Sequence, residues 1–336
     1  MDKSVAPEDR SRSLFAEASG MRRLLLWVFG LLSVVALLFA VLHFGSLERL
    51  VALMRSARPE WLLLAALAQA ATYVCAALVW RQALGHAGQP RPLWPLVPLG
   101  VAKLFADQAL PSGGISGTVL VVSGLTRRRV PAKVAMAAML VDLVSYDVAY
   151  LMVVGASTGI LWLRHRASLP LFVAVGIFAV VTVATPSVIL GLRRWNGWRP
   201  IAWLTRFLGM KALIGSLAEA PTDLLRNPVL LIQTVAIQLG IFALDALTLW
   251  LVFKSIGDVP EIWVVFVSYV IASMAATIGP MPIGLGTFEA GAVGMLHFLG
   301  VPVESALAGT LLLRGLTFWI PMLPGVWLAR REISRL

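Results

Sequence analysis

The sequence predicts an all-α polytopic membrane protein, with about six transmembrane helices and two re-entrant helical hairpins related by an inverted-topology repeat. Three observations predict it. Of the 336 residues, 59% are hydrophobic and only 13% charged, with a mean hydropathy of +0.85, whereas an average soluble domain is roughly 25% charged. Six stretches are apolar enough to cross a bilayer core, a distance of about 20 helical residues. Two shorter apolar segments are broken by Pro and Gly, at "LPSGGISGT" (110–118) and "IGPMPIGLGTFEAG" (278–291).

The polar tail 1–23 comes first. It is too polar for a signal peptide, and the apolar run behind it is too long for a signal h-region. The spans are read at 24–44, 61–80, 132–156, 170–191, 229–253 and 303–329. Between the second and third lies 93–125. Its descending limb ends near Leu110, and its returning limb, Ile115 to Leu125, covers roughly 17 Å at about 1.5 Å per residue. That is half a bilayer, so the segment reads as a re-entrant hairpin. Unpaired backbone in hydrocarbon costs several kcal/mol, so irregular chain at that depth has to line a cavity or be buried in protein. The segment 262–299 repeats the plan: a short limb, a Gly/Pro loop and a short limb, the pattern of broken helices. The stretch 192–228, rich in Arg and Trp, reads as an amphipathic interfacial linker. It separates a first half, 24–191, from a second, 229–336.

Charge supports one orientation. With both termini cytoplasmic, twenty of the 28 Lys and Arg residues fall on inside segments and six outside, with Lys103 and Arg314 left within the membrane. That is a strong positive-inside bias, and it accounts for the net charge of +11 without nucleic acid as a partner. The first hairpin then opens from the cytoplasm, the second from the other side, and their tips meet near the middle.

A gapless shift of 171 residues lays one half on the other. Pro111 falls on Pro282, Gly113 on Gly284, Val122 on Val293 and Leu125 on Leu296, and 130–140 matches 301–311 at Val, Pro, two Ala and Leu. The same shift places span 229–253 over the start of span 61–80. These two run in opposite directions by the span count, which makes the halves antiparallel, as in many transporters.

Ionisable residues inside the membrane are rare and mark function by default. Here they are Lys103 and Asp107 on the first hairpin, Asp142 and Asp147 on the third span, Asp245 on the fifth, Glu289 after the second loop and Arg314 in the last span. Lys103 and Asp107, four apart, are placed to neutralise each other. Asp142 and Arg314 occupy neighbouring positions of the aligned repeats and are candidates for a buried structural pair. Thr234, Gln238, Asp245 and Thr248 form a polar stripe on the fifth span, which needs a wet or protein-lined interior. Asp147 and Tyr150 read as interfacial. In the loops, Ser112, Gly113, Gly114, Ser116 and Thr118 in the first and Gly284, Gly286, Thr287 and Glu289 in the second precede half-helices, whose N-terminal amides and dipole suit an anion. Lys103 and Arg314 add positive charge. The constellation suits a phosphate-bearing lipid headgroup, with Glu289, Asp142 or Asp245 for an ammonium group or a proton; packing without a ligand is the competing account of the loops.

Soluble-enzyme chemistry finds little support. "GLGTFEAG" has no strand–helix context for dinucleotide binding, no phosphate-loop lysine motif occurs, and the four histidines have no metal-ligand spacing. Cys75 is the single cysteine, so neither a disulfide nor a Cys-based metal site is expected. No cofactor is called for.

The blocks "LPSGGISGTVLVVSGLTRRRVPAKVAMAAMLVDLVSYDVAY" and "GPMPIGLGTFEAGAVGMLHFLGVPVESALAGTLLLRGLTFWIPMLPG" resemble the two signature blocks of the lysylphosphatidylglycerol synthase transmembrane-region family, over roughly residues 25 to 330. That family includes the flippase half of the bacterial multiple peptide resistance factor and many stand-alone proteins. The resemblance implies a lipid-translocating module of the bacterial cytoplasmic (inner) membrane. The matching positions are the Pro-Ser-Gly-Gly loop, the Asp142 helix, the second loop through Glu289, and the Arg314 helix. Two-part members carry a soluble aminoacyltransferase domain, whereas this sequence ends at Leu336, so lipid synthesis is not expected of it and the lipid is left open. The preferred expectation is a flippase for a phosphate-bearing, aminoacylated or glycosylated membrane lipid. The alternatives are an intramembrane lipid-modifying enzyme using Glu289 or Asp142, and a non-catalytic partner of a lipid-synthesis enzyme; a homo-oligomer is the other partnership considered.

Overall fold

A computed structural model describes residues 57–109, 114–194, 223–279, 284 and 286–333. The tail, the expected span 24–44, most of the linker, and Ser112 and Gly113 lie outside them. The described chain forms α1 (Pro59–His86), α2 (Val97–Ala109), α3 (Ile115–Arg127), α4 (Ala132–Leu163), α5 (Leu169–Arg194), the short α6 (Asp223–Arg226), α7 (Pro228–Ile256), α8 (Ile262–Ile278), α9 (Thr287–Phe298), α10 (Val303–Arg314), a π turn (Gly315–Trp319) and α11 (Ile320–Ile333). The protein is an all-α polytopic membrane protein. Among the described residues, four helices meet the length and hydropathy of a span: α1, α4, α7, and α10 continued through the π turn into α11.

Local chemistry sets the boundaries. Pro59 and Pro228 occupy the first turns of α1 and α7, where a missing N–H costs nothing. The Asn227 side chain accepts the Leu230 N–H at 3.2 Å, an N-cap bond. Gly257, at φ 83°, closes α7 in the left-handed conformation. In the π turn the Ile320 N–H reaches Gly315 O, five residues back. This wide turn lies directly before Pro321, which has no N–H to continue an α-helical ladder.

The repeat is visible in the elements. Shifting α1 to α4 by 171 residues lays them over α7, α8, α9 and the α10–α11 run. α1 and α7 form the most extensive helix pair, and they are antiparallel. The Arg58 N–H donates to Ser255 O at 2.8 Å and Lys254 Nζ lies 4.6 Å from the Trp61 ring centre, while Leu230 joins Ala77, Trp80 and Leu84 in one apolar cluster. Equivalent helices packed head to tail make the halves inverted. Each half also lends its first hairpin limb to the other: α2 packs on α11 and α8 on α4. Gly325 permits the first of these contacts, since a Cβ there would sit 2.7 Å from Phe105 Cβ.

The hairpins start from opposite ends of the α1–α7 pair. Leu96 and Leu99, at the head of α2, pack with Trp80 and Leu84 late in α1. Val264 and Val265, at the head of α8, pack with Leu249, Phe253 and Ile256 late in α7. The limbs α2 and α3 have 13 residues each and α9 has 12, or about 18 to 20 Å at 1.5 Å per residue. They fall short of the roughly 30 Å hydrocarbon core. α8, at 17 residues, comes closer.

Candidate functional site

Where α1, α4 and α7 face the first hairpin they line an open cavity of about 630 Å³. Lys103 and Asp107 of α2, Gly114 and Thr118 at the start of α3, Asp142 of α4, and Gln238 and Asp245 of α7 reach it. Gln69, Thr72, Tyr73 and Trp80 of α1 form one wall, Tyr146 and four apolar α4 residues another, and Thr317 of the π turn contributes from the second half. Formally, one cation faces three carboxylates among the described lining residues.

Charges on α2 tie the two limbs of the first hairpin together. Lys103 Nζ lies 3.1 Å from Asp107 Oδ2, the i, i+4 neutralisation the spacing predicts. The other oxygen, Oδ1, accepts the Gly117 N–H at 2.8 Å. Asp107 thus caps the start of α3 from the opposite limb, placing a carboxylate at the positive end of the half-helix. Ser116 turns away from the cavity to donate to Ala106 O at 2.8 Å, and Thr118 donates to Gly114 O at 2.9 Å. Gly114 has φ 86°, a conformation that needs no Cβ.

The second loop solves the same problem with different residues. Glu289 Oε2 accepts the Gly286 N–H at 2.6 Å, and Oε1 forms an ion pair with Arg314 Nε at 2.7 Å. The guanidinium also donates from Nη2 to Gly284 O at 3.3 Å and lies 4.2 Å from the Phe288 ring centre. Glu289 is 6% exposed. Each hairpin therefore joins a carboxylate, a cation and the first amides of a returning helix. Gly284 and Gly286 take φ 66° and 84°.

This geometry changes the expected partnerships. Asp142 does not pair with Arg314: its Oδ1 accepts from Gln238 Nε2 at 2.9 Å, and the guanidinium is taken by Glu289. The two positions differ by one residue in the repeat alignment, about 100° around a helix, so they face different neighbours. Among the described residues, the cavity takes in Lys103, Asp107, Gly114, Asp142 and Asp245 but not Gly284, Gly286, Glu289 or Arg314. The described residues of the second loop, Gly284 and Gly286, meet the Glu289–Arg314 pair instead. The polar stripe of α7 divides too. Thr234 and Thr248, both fully buried, donate to Leu230 O and Leu244 O of their own helix, while Gln238 and Asp245 face the cavity. Tyr150 is buried among Phe178 and Phe242, with its hydroxyl 3.2 Å from Thr277 Oγ1, so it ties α4 to α8. Among the described residues no His, Cys, Asp and Glu cluster is placed to hold a metal.

Sequence reasoning missed the α1 wall and Tyr269, whose hydroxyl donates to Asp245 Oδ2 at 2.7 Å. The α1 wall had a signal: Gln69, Tyr73 and Trp80 recur at i, i+4 and i+11 in an otherwise apolar span, one face of a helix. Tyr269 had none beyond its hydroxyl.

Inverted repeats of four helical elements, two short hairpins and a mainly apolar cavity that holds one cation and three carboxylates define a class: polytopic membrane proteins with ionisable groups gathered between their spans. Within it, the chain belongs to the lysylphosphatidylglycerol synthase TM region family, whose model matches residues 27–325. The chain matches no curated protein. The family gives the protein a role connected with membrane lipids.

Proposed function

We propose that this protein is a flippase of the bacterial cytoplasmic membrane that moves a phosphate-bearing, aminoacylated or glycosylated lipid between leaflets, with both termini cytoplasmic and no catalytic step of its own. The observation that carries this reading is the amphiphilic cavity: Lys103, Asp107, Asp142 and Asp245 share it with Leu104, Met136, Leu140 and Ile241. A polar headgroup crossing bare hydrocarbon without hydrogen bonds loses several kcal/mol per group, and a charged one more. A chamber offering one ammonium and three carboxylates lowers that barrier while acyl chains stay in the bilayer. Lys103 is the cation available to a phosphate, and the carboxylates serve amine or hydroxyl groups. The first hairpin lines the chamber and the second reaches it through the Tyr269–Asp245 bond, so each inverted half supplies one element able to act on it, as alternating access requires.

Vesicles containing the purified protein and tail-labelled lipids, with an impermeant quencher added outside, test the proposal. The expected result is loss of the protected inner-leaflet signal for at least one headgroup class, and retention of that signal in vesicles carrying Asp142→Asn. Signal that stays protected across phosphatidylglycerol, aminoacyl-phosphatidylglycerol and glycolipid probes rejects transport. A new lipid product on a chromatogram of the same vesicles would move the assignment to a lipid-modifying enzyme.

A further inference from the structure

Among the described residues, three of the four spans are unbroken α-helices: α1, α4 and α7 run for 28, 32 and 29 residues. The fourth is jointed. α10 gives way at Gly315–Trp319 to the π turn, and α11 then carries Pro321 and Pro324 within its first five residues. Neither proline has an N–H, so the carbonyls of Thr317 and Ile320 lose the donors that an α-helix brings four residues on. Sharp bends in helices concentrate at prolines and π turns. The repeat supplies an internal control. A shift of 171 residues lays 315–319 on 144–148, in the middle of uninterrupted α4. Thr317 falls on Tyr146, and both line the chamber; Pro321 falls on Tyr150. The same stretch of the repeat is stiff in one half and jointed in the other, beside one cavity.

The joint also divides two packed bodies. Before it, Ala306, Ala308 and Leu313 pack with Phe253, Phe288 and Leu296 of the second half, and Arg314 is held by Glu289 and Gly284. Beyond it, Leu328 and Phe105 pack on the first-half cluster, and α2 meets α11 over a longer contact than it makes with α1. At Gly325 that approach is close: a Cβ would sit 2.7 Å from Phe105 Cβ and 3.4 Å from Val101 O. The bonds of Lys103, Asp107 and Ser116 described above stay within the hairpin, while α2 meets α1 through Leu96 and Leu99. Apolar contacts of that kind can slide without breaking a polar bond. We propose that Gly315–Trp319 is the hinge of the chamber: α11 swings about it with the first hairpin attached, moving the Lys103–Asp107 wall relative to Asp142 and Asp245. The proposal rests on the cavity being a transporter's chamber, and it names the part that moves.

Distances, measured apart from transport, test it. The full chain carrying Cys75→Ser is placed in phosphatidylglycerol nanodiscs with pairs of spin labels on introduced cysteines, read by pulsed electron paramagnetic resonance. Trp327→Cys on α11 with Ile232→Cys on α7 reports the swing, and Leu67→Cys on α1 with Ile232→Cys is the fixed control; all three side chains are exposed. The first pair should give two distances about 5 Å apart, which a bend of roughly 25° produces about 12 Å beyond the turn, and the control one. Trp327→Cys with Trp94→Cys, ahead of α2, should give one distance, because hairpin and helix travel together. Deleting Leu316 takes one residue out of the wide turn and keeps the α11 face toward α2; Pro321→Ala with Pro324→Ala restores two donors. The combined variant should melt at or above the wild-type temperature, show one Trp327–Ile232 distance and exchange lipid about tenfold more slowly. The two proline substitutions alone, which keep chain length, should shift both readouts part of the way. A wild-type Trp327–Ile232 distance as narrow as the control overturns the hinge, while leaflet exchange by the same protein leaves the flippase reading standing. Two distances without leaflet exchange keep the hinge and reject transport. A Trp327–Trp94 distance that splits detaches the hairpin from α11, and a stiffened variant that exchanges lipid at the wild-type rate removes the bend from the mechanism; either result overturns the proposal.

Discussion

Asp107 accepts the Gly117 amide proton at 2.8 Å across the first hairpin, and an added Cβ at Gly117 would sit 2.5 Å from both carboxylate oxygens. The acid that caps α3 is close enough to do so because residue 117 is a glycine. Gly117→Ala therefore pushes Asp107 off the helix start and loosens its tie to Lys103. Overpacking of this kind costs about 1–3 kcal/mol, and the expected outcome is a lower melting temperature in detergent with reduced leaflet exchange. An unchanged melting temperature would show that the hairpin absorbs a methyl group at no cost.

The Glu289–Arg314 pair makes a separable prediction. Breaking a buried ion pair by removing one partner costs about 3–5 kcal/mol, whereas replacing both can be neutral. Arg314→Met alone leaves Glu289 charged and nearly buried, so poor yield and a strongly lowered melting temperature are expected. Adding Glu289→Gln keeps an acceptor for the Gly286 N–H and removes the stranded charge, so the double variant should recover most of the lost stability. Recovery of folding without recovery of leaflet exchange assigns the pair a role in transport; recovery of both makes it a fastening for the second loop.

Much of the fold was legible because backbone chemistry in a membrane is restrictive. The four long spans follow from length and hydropathy, and the hairpins follow from Pro and Gly placed where hydrocarbon permits no irregular chain. Lys103 and Asp107 were legible as well, since partners four apart on a helix need no tertiary information. Arg314 was not. Glu289 lies on α9 and Arg314 at the end of α10, and which of the membrane's carboxylates meets that guanidinium depends on how two helices rotate about their connection. The repeat alignment pointed to Asp142, one position off register and on the wrong side of its helix. The π turn at Gly315–Trp319 was equally hidden, although it brings Thr317 to the cavity. The neutral wall of Gln69, Tyr73 and Trp80 carries no formal charge, so it does not stand out in an apolar span as an ionisable residue does.

Small residues at the second-half helix crossings carry their own prediction. A Cβ at Gly309 would approach the Phe253 ring to 2.8 Å, and Phe253 is fully buried, so the ring has little room to yield. Gly309→Ala should lower the melting temperature, at about 1–3 kcal/mol for overpacking. Phe253→Leu on the same chain should restore part of the loss. A double variant no better than the single one would place the strain elsewhere along α7 and α10.

Asp245 connects the cavity to the second hairpin. Its carboxylate accepts from Tyr269 on α8 at 2.7 Å, the Tyr269 ring meets Phe288 of α9 edge-on with centres 6.0 Å apart, and Phe288 carries the Arg314 guanidinium. Two substitutions separate charge from linkage. Asp245→Asn keeps an acceptor for the tyrosine but removes the charge facing the cavity, so leaflet exchange should fall roughly tenfold or more, equivalent to about 1.4 kcal/mol on a barrier, at near wild-type melting temperature. Tyr269→Phe keeps the charge and gives up one hydrogen bond to it, an interaction of about 1.5–3 kcal/mol, so stability should fall while exchange falls less than with Asp245→Asn. If Tyr269→Phe abolishes exchange in a chain that melts normally, the hydroxyl itself transmits between cavity and hairpin, and the Asp245–Tyr269 bond is then a moving part of the transporter, not a brace.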